Sequence, residues 1–383
     1  MAPRSPPPSR RRGSPPALMD DLVGEILLRI PPDEPAHLVR AAVVCKPWRR
    51  ILTDPAFLRR YRAFHRTPPL LGFISNLDDD EDPVPRFVPT SSSSASPCSP
   101  PAFGCDTWWA LDCRHGRALI HYMGRVSGRG LIVWDPISGD QQELDLPMAM
   151  YGHAYLTGAV LCAAAGCDHL GCRGGPFLVV LVGCDRKVDV TSASVYSSEN
   201  GDWSALTTVH LHSIIELRPS LLAGDALYFS LLGSRKILKF SLVGGDLSVI
   251  ARPEAPGNTV MTAVDGRLGF ASVEDYSLYL WSWEPGAEGN DGWAQCRVIK
   301  LDTVLPIHDT PISLDVVGFT EGLNSIIIST NIAVYTVELK SGQARKDRRE
   351  GVPLRHHTLH ELLHSRIILW TDCHRHEDAR IHP

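Results

Sequence analysis

The sequence lacks the marks of several protein classes. It has no run of about eighteen apolar residues, which argues against a membrane-spanning helix. Proline and arginine fill the N-terminal stretch where a secretory signal would place an apolar segment, so no signal peptide is expected. The formal net charge of -5 argues against a general nucleic-acid binder. We therefore expect a protein of the cytoplasm or nucleus, in which the ten cysteines stay reduced.

Enzymatic signatures are also scarce. Phosphate-binding and dinucleotide-binding loops are missing, and no spacing of serine, histidine and aspartate singles out a catalytic triad. His360, Glu361 and His364 have the H-E-x-x-H spacing of zinc hydrolases, in which two histidines one helical turn apart bind the metal. Ile367 and Trp370 stand where the extended motif would have glycine and a third histidine. We predict no catalytic residue, no cofactor and no metal, and therefore no enzyme.

Cysteine and histidine residues gather in one stretch of the chain. Cys162, Cys167, Cys172 and Cys184 surround His169 in the sequence. Their five-residue steps differ from the paired C-x-x-C of structural zinc sites. Thiols without a metal, in a strand and the following loop, are the favoured interpretation. A metal site here would require the loop to fold back on itself.

Residues 18–65 have the pattern of four short helices. Leu22, Ile26 and Ile30 recur at four-residue spacing and give the first helix an apolar face. Asp54-Pro55 supplies the cap and the first-turn proline that open the last helix. So small a bundle buries little surface, and it has more apolar residues than it can hide. We infer that part of this face docks on another protein.

The same residues resemble the F-box, in which Ile-Leu, Ile-Pro, Val-Cys-Lys-x-Trp and Asp-Pro follow in this order. The resemblance implies that the helices bind a Skp-type adaptor and, through it, the cullin of a ubiquitin ligase. The adaptor-binding residues that it implies are Leu22, Ile26, Leu27, Ile30, Pro31, Leu38, Val44, Cys45, Trp48 and Leu52. Met19 stands where the family usually has a proline that touches the adaptor, which would weaken this contact.

From Trp108 onward, short apolar or aromatic runs alternate with turn residues, as in a series of β-strands. A glycine precedes an apolar run at Gly116, Gly158, Gly224, Gly266 and Gly322. A run ends in an aromatic residue at Trp134, Tyr196, Phe240, Trp281 and Tyr335. This loose period of about forty to fifty residues is typical of β-propeller blades. The sequence predicts a propeller-like domain of about six irregular blades, with a two-sheet sandwich as the alternative.

A second resemblance concerns the β-rich segment, in which Asp112–Leu119 is similar to a phrase of the kelch-like domain in many plant F-box proteins. Within it, Arg114–Arg117 is basic, and a solvated turn is favoured over a ligand contact. Only Arg366–Trp370 near the chain end has the pattern of a strand that could close a propeller. The predicted segments of this α+β multidomain chain are a disordered tail (1–17), an all-α F-box bundle (18–65), an all-β propeller-like domain (70–350, flexible loop about 76–101) and an atypical tail (351–383).

The two resemblances together imply a substrate-recognition subunit of an SCF-type cullin-based ubiquitin ligase. The helices would dock on the Skp-type adaptor, and loops of the β-domain would bind a target protein that the sequence does not identify. The alternative is a non-degradative F-box protein, such as a scaffold or a lectin-like or ligand-sensing protein.

Overall fold

The structure, a computed structural model, forms two compact units, a helical unit within residues 19–65 and a β unit within residues 70–371. It describes residues 19–30, 35–65, 70–76, 86–89, 107–124, 128–135, 139–153, 155–167, 169, 174–255, 259–284, 292–305, 314–321, 324–330, 333–346 and 366–371. No helix within these ranges is long and apolar enough to cross a membrane.

The helical unit consists of four short helices, as predicted. They are α1 (Asp20–Leu28), α2 (Pro35–Val44), α3 (Lys46–Thr53) and α4 (Pro55–His65). The start of α4 follows the predicted signal, because the Asp54 side chain accepts a hydrogen bond from the backbone N–H of Ala56 at 3.1 Å. The apolar core of the unit comprises Val23, Leu27, Leu28, Ala41, Leu52 and Phe57.

The β unit is built from short antiparallel strands. They are β1 (Leu70–Asn76), β2 (Arg86–Pro89), β3 (Thr107–Arg114), β4 (Arg117–Gly124), β5 (Gly128–Trp134), β6 (Gln141–Asp145), β7 (Tyr155–Cys162), β8 (Phe177–Asp185), β9 (Val190–Ser197), β10 (Asp202–Trp203), β11 (Thr207–His210), β12 (Leu221–Ala223), β13 (Ala226–Ser230), β14 (Lys236–Ser241), β15 (Leu247–Ala251), β16 (Thr259–Val264), β17 (Arg267–Glu274), β18 (Ser277–Glu284), β19 (Gly292–Lys300), β20 (Leu314–Thr320), β21 (Ser325–Thr330), β22 (Val334–Glu338), β23 (Ala344–Lys346) and β24 (Arg366–Thr371). A short helix, α5 (Leu301–Val304), lies between β19 and β20.

The strands form separate sheets that follow one another along the chain. Blade 1 is β3-β4-β5-β6, blade 2 is β7-β8-β9-β10 with β11 added on β9, and blades 3, 4 and 5 are β12–β15, β16–β19 and β20–β23. The first strand of each blade contacts the neighbouring blade, as β3 does with β7, β12 with β16 and β16 with β20. This arrangement is a β-propeller, and it rules out the two-sheet sandwich.

A further sheet of three strands, in the order β2-β1-β24, closes the ring. Its strand β24 contacts β3 of blade 1 and β20 of blade 5. Within the described residues the propeller thus has five complete blades, of which blade 2 has a fifth strand and the others have four, against about six blades predicted. The β unit also extends past the predicted boundary at residue 350, because β24 from the chain end pairs with β1 from the start of the unit.

The aromatic residues that defined the sequence period all lie on the third strand of a blade. Those strands are β5, β9, β14, β18 and β22, and each of the five aromatic side chains is buried. The apolar cores lie between adjacent blades, so that Leu131 and Val133 of blade 1 pack with Val160 and Val179 of blade 2. Each blade therefore buries its faces only against its neighbours.

Candidate functional site

The helical unit leaves large apolar side chains exposed. On α1, Leu22 and Ile26 are 47% and 53% exposed, and Met19 just before the helix is 69% exposed. At the end of α2, Val43 and Val44 are 65% and 64% exposed. Apolar side chains grouped in this way on a small unit are typical of a protein-binding surface.

The structure divides the predicted adaptor-binding residues into two groups. Leu22, Ile26, Val44 and Cys45 are exposed. Leu27 and Leu52 are buried in the core of the unit, and Ile30 and Trp48 are half-buried against it. Pro31 and the side chain of Leu38 lie outside the described part of the structure. The exposed residues can contact a partner directly, whereas the buried ones support the helices that carry them.

The orientation of α1 is fixed by polar contacts from α4. The Tyr61 hydroxyl donates to the backbone carbonyl of Ile30 at 2.5 Å. The Nε2 atom of His65 lies 2.7 Å from the backbone carbonyl oxygen of Leu28. These contacts use carbonyls that the end of a helix leaves without an intrahelical partner. Glu25 of α1 also forms an ion pair with Arg60 of α4. The exposed face of α1 is therefore presented in a defined direction within the helical unit.

In the β unit, Arg114 at the end of β3 joins three blades across the propeller axis. Its Nη1 atom donates to Asp112 Oδ1 at 2.6 Å, and its Nε and Nη2 atoms donate to the two carboxylate oxygens of Glu321, after β20, at 2.8 and 2.6 Å. Nη2 also donates to the backbone carbonyl of Ser220, immediately before β12. One guanidinium thus holds blades 1, 3 and 5 together through charge-assisted hydrogen bonds.

The two carboxylates of this cluster are also bonded to strands of the ring. The Val160 N–H on β7 donates to Asp112 at 2.8 Å, and the Leu222 N–H on β12 donates to Glu321 at 2.9 Å. Blade 2 is therefore tied to the same cluster. We call Asp112, Arg114, Ser220 and Glu321 the axial cluster.

The charges of the axial cluster are set by burial and by the ion pairs. The pKa of Asp112 is raised to about 6, mainly by burial and also by the charge of Glu321, while the charge of Arg114 acts in the opposite direction. Burial disfavours the cation of Arg114, but the two carboxylates outweigh this and raise the pKa of Arg114 above its usual value. Arg114 therefore stays charged, and its three nitrogens are engaged within the chain. We interpret the axial cluster as a structural link between blades.

A cavity of about 410 Å³ lies between blades 1 and 2. Arg117, at the start of β4, borders it, and its Nη2 atom donates to the carbonyl of Gly175 at 2.5 Å. Its guanidinium lies over the ring of Phe177, 5.2 Å from the centroid. Its Nη1 atom is buried and has no hydrogen-bond partner among the described groups. The Arg117 pocket, as we call this cavity, is further lined by Val133, Asp135, Asp140, Gln141, Gln142, Gly174, Pro176, Ser198 and Glu199.

The prediction that Arg114–Arg117 forms a solvated turn is therefore wrong for both arginines. Arg114 is 8% exposed and Arg117 is 6% exposed. Only the two residues between them form the turn that joins β3 to β4. The spacing Asp112-x-Arg114 could have predicted the ion pair between these two side chains, because residues two apart lie on the same face of a strand. The contacts of Ser220 and Glu321 with Arg114 could not be predicted from local spacing, since these residues reach the cluster only when the ring of blades closes.

The predicted cysteine and histidine stretch is partly brought together. Ligand atoms of Cys162, Cys167 and His169 lie within 4.8 Å of one another. Cys184 is buried at the opposite end of the β7–β8 hairpin, where it pairs with Tyr155. Cys172 lies outside the described residues, and so does the H-E-x-x-H segment at 360–364.

Comparison with known proteins identifies the helical unit. The F-box domain family matches residues 18–60, so the chain contains an F-box domain. No curated protein sequence matches the chain.

Solved structures with a similar fold are distant in sequence. The WD40 domain of SCAP from fission yeast is 12% identical, with a TM-score of 0.38 over 64% of this chain and 56% of that one. The α-L-arabinanase of Penicillium chrysogenum is 11% identical, with a TM-score of 0.36 over 73% and 86%. These scores are low, so the assignment of the propeller rests on the strand pairing described above.

Proposed function

We propose that this chain is the substrate-recognition subunit of an SCF-type cullin-based ubiquitin ligase in the cytoplasm or nucleus. The observation that carries the proposal is an F-box domain whose first helix exposes Leu22 and Ile26. F-box domains imply a Skp-type adaptor, and an apolar helix face of this kind fits a hydrophobic partner surface. The propeller, on the same chain, provides the surface for a target protein.

The proposed mechanism is one of proximity. The adaptor and the cullin hold the ubiquitin carrier on one side, and the propeller holds the target on the other. Tethering makes the attack of a target lysine effectively intramolecular, which raises its effective concentration. In this mechanism the chain supplies binding surfaces and contributes no catalytic residue.

Replacing Leu22 and Ile26 together with alanine is expected to weaken adaptor binding roughly 30–150-fold, which corresponds to about 2–3 kcal/mol of lost apolar contact. Both side chains are about half exposed, so the substitutions spare the core of the helical unit. Isothermal titration calorimetry of the full chain against a purified Skp-type adaptor measures the dissociation constant.

Phe64→Ala is the matched control for this experiment. Phe64 is 51% exposed on α4 and lies outside the predicted adaptor-binding residues, so its replacement is expected to leave the affinity nearly unchanged. If the Leu22/Ile26 double variant bound the adaptor as tightly as the wild type, the proposed ligase function would be wrong.

The Arg117 pocket is a surface of the propeller that is suited to target recognition. The positive charge of Arg117 at the border of the pocket suits a carboxylate or carbonyl oxygen of a target. Glu199, which lines the same pocket, suits a neighbouring basic group on the target. We therefore propose that the pocket binds a target segment in which acidic and basic residues lie close together.

Replacing Arg117 with glutamine is expected to reduce target recruitment about tenfold or more, the typical effect of losing a hydrogen bond to a charged group. Quantitative proximity labelling in cells, with the chain fused to a labelling enzyme, measures recruitment of each neighbouring protein. Arg267→Gln is the matched control, because Arg267 follows the equivalent glycine turn of blade 4 but is exposed. An unchanged set of labelled proteins in Arg117→Gln would contradict this role of the pocket.

A ligand-sensing F-box protein is the second candidate. The polar lining of the Arg117 pocket, which includes Gln142 and Glu199, also suits a small polar molecule. Under this alternative the Arg117 variant would lose a small ligand, and its set of ubiquitylated proteins would stay the same.

A further inference from the structure

The loop between β7 and β8 differs from the equivalent connections in other blades. The first and second strands are joined by two residues in blade 1, at His115-Gly116, in blade 3, at Gly224-Asp225, and in blade 4, at Asp265-Gly266. In blade 2 the connection covers residues 163–176. A long loop at a position where a two-residue turn suffices indicates a local function.

This loop folds back on the end of β7. The N–H of Ala163 donates to the carbonyl of Pro176 at 2.9 Å, which closes the base of the loop. The chain reverses direction at residues 164–167, where the N–H of Cys167 donates to the carbonyl of Ala164 at 3.3 Å. Gly166 within this turn and His169 beyond it both adopt positive φ angles, 66° and 58°. The fold-back that a metal site would require is therefore present.

The reversal brings three soft or borderline donors to one point. The Sγ atoms of Cys162 and Cys167 and a ring nitrogen of His169 lie within 4.8 Å of one another. A tetrahedral zinc ion with bonds of about 2.3 Å to sulfur holds its ligand atoms roughly 3.8 Å apart, so a small contraction would complete the geometry. Both thiols are free and half-buried.

Neighbouring groups hold these residues in place. The backbone N–H of His169 donates to the Cys167 sulfur at 3.4 Å, which keeps position 169 beside this sulfur. The ring of His115 stacks on that of His169, with centroids 4.0 Å apart and planes at 16°. The Nδ1 atom of His115 accepts a hydrogen bond from the Cys162 N–H at 3.0 Å. His115 thus supports both ends of the site without being one of the three ligands.

We infer that Cys162, Cys167 and His169 form a zinc site. Two thiolates and one imidazole select zinc over magnesium or calcium, which require oxygen ligands. The ion would fix the loop that also carries Gly174 and Gly175, two residues that border the Arg117 pocket. Zinc binding would thereby shape the pocket, and it would do so independently of the adaptor-binding helices.

The test is a zinc titration of the reduced full-length chain without any partner. We expect one equivalent of tightly bound Zn²⁺ and, with Co²⁺ as the probe, the thiolate charge-transfer and tetrahedral ligand-field bands. Cys162→Ser, Cys167→Ser and His169→Asn are each expected to weaken binding by more than about 100-fold, since even the loss of a supporting residue costs 10–100-fold. Asparagine is chosen because it tolerates the positive φ angle at position 169.

Cys296→Ser is the control, because Cys296 is an exposed free cysteine in blade 4. It is expected to bind zinc as the wild type does. Hydrogen exchange adds a second readout, with slower exchange of residues 163–167 on addition of Zn²⁺ in the wild type and no change in Cys162→Ser. The inference would be overturned if the reduced wild type bound no stoichiometric metal, or if the three ligand variants retained it. A disulfide between Cys162 and Cys167 in place of metal binding would overturn it equally.

Discussion

Replacing Arg114 with alanine is expected to lower the free energy of unfolding of the propeller by about 3–5 kcal/mol. The substitution leaves Asp112 and Glu321 close together in a largely buried position without the cation that neutralises them. Breaking one partner of a buried ion pair costs this much because the remaining charge cannot recover its hydration. Urea unfolding of the full chain, followed by tryptophan fluorescence, measures the loss, since Trp48 is the one tryptophan that precedes the β unit.

Arg235→Ala is the matched control for this experiment. Arg235 also pairs with a glutamate, Glu254, at 3.1 Å, but both side chains are almost fully exposed at 87% and 88%. Its replacement is expected to change stability by less than about 0.5 kcal/mol, because exposed ion pairs contribute little. Equal stabilities of the Arg114 and Arg235 variants would show that the axial cluster does not hold the blades together.

The contrast between these two arginines shows what a sequence can predict about this fold. The aromatic residue on each third strand has a local cause, since a large apolar side chain on a strand must be buried between blades. The period of such residues is therefore visible in the sequence and predicts the propeller. The role of Arg114 has no local cause, because Ser220 and Glu321 lie more than a hundred residues away in the chain.

Blade 2 shows a second limit of sequence reasoning. The repeated glycine phrase marks the turn before the second strand at Gly116, Gly224 and Gly266, but Gly158 lies within the first strand of its blade. There the long loop at 163–176 replaces the turn, and Gly158 has another role. A side chain at this position would meet the backbone carbonyl of Val180 at 2.8 Å, so the glycine permits close strand pairing.

The helices of the F-box domain were predictable from the sequence, but the exposure of each residue was not. The F-box pattern predicted the helices, and the structure leaves Leu22, Ile26 and Val44 of the pattern exposed. The same pattern includes Leu27 and Leu52, which the structure buries at 1% and 5% exposure. A sequence motif does not distinguish buried core residues from exposed contact residues, because a change at either kind of position would impair binding.

Truncation of the chain after residue 350 is expected to lower the stability of the propeller by at least about 5 kcal/mol, a large part of the 5–15 kcal/mol typical of a folded domain. The truncated chain lacks β24, which pairs with β1 at six registered positions and contacts β3 and β20. The loss of β24 opens the ring and leaves the backbone N–H and C=O groups on one edge of β1 without hydrogen-bond partners. Each such group costs about 1–3 kcal/mol if it stays buried.

A chain that ends at residue 375 is the control for this truncation, because it retains β24 while losing the remaining C-terminal residues. It is expected to unfold at the wild-type urea concentration, whereas the chain that ends at residue 350 is expected to unfold at a much lower concentration or to aggregate. A synthetic peptide covering residues 363–374 should partly restore the shorter chain by adding the missing strand to β1. If both truncated chains were as stable as the wild type, β24 would not close the ring, and the five complete blades would have to hold together without it.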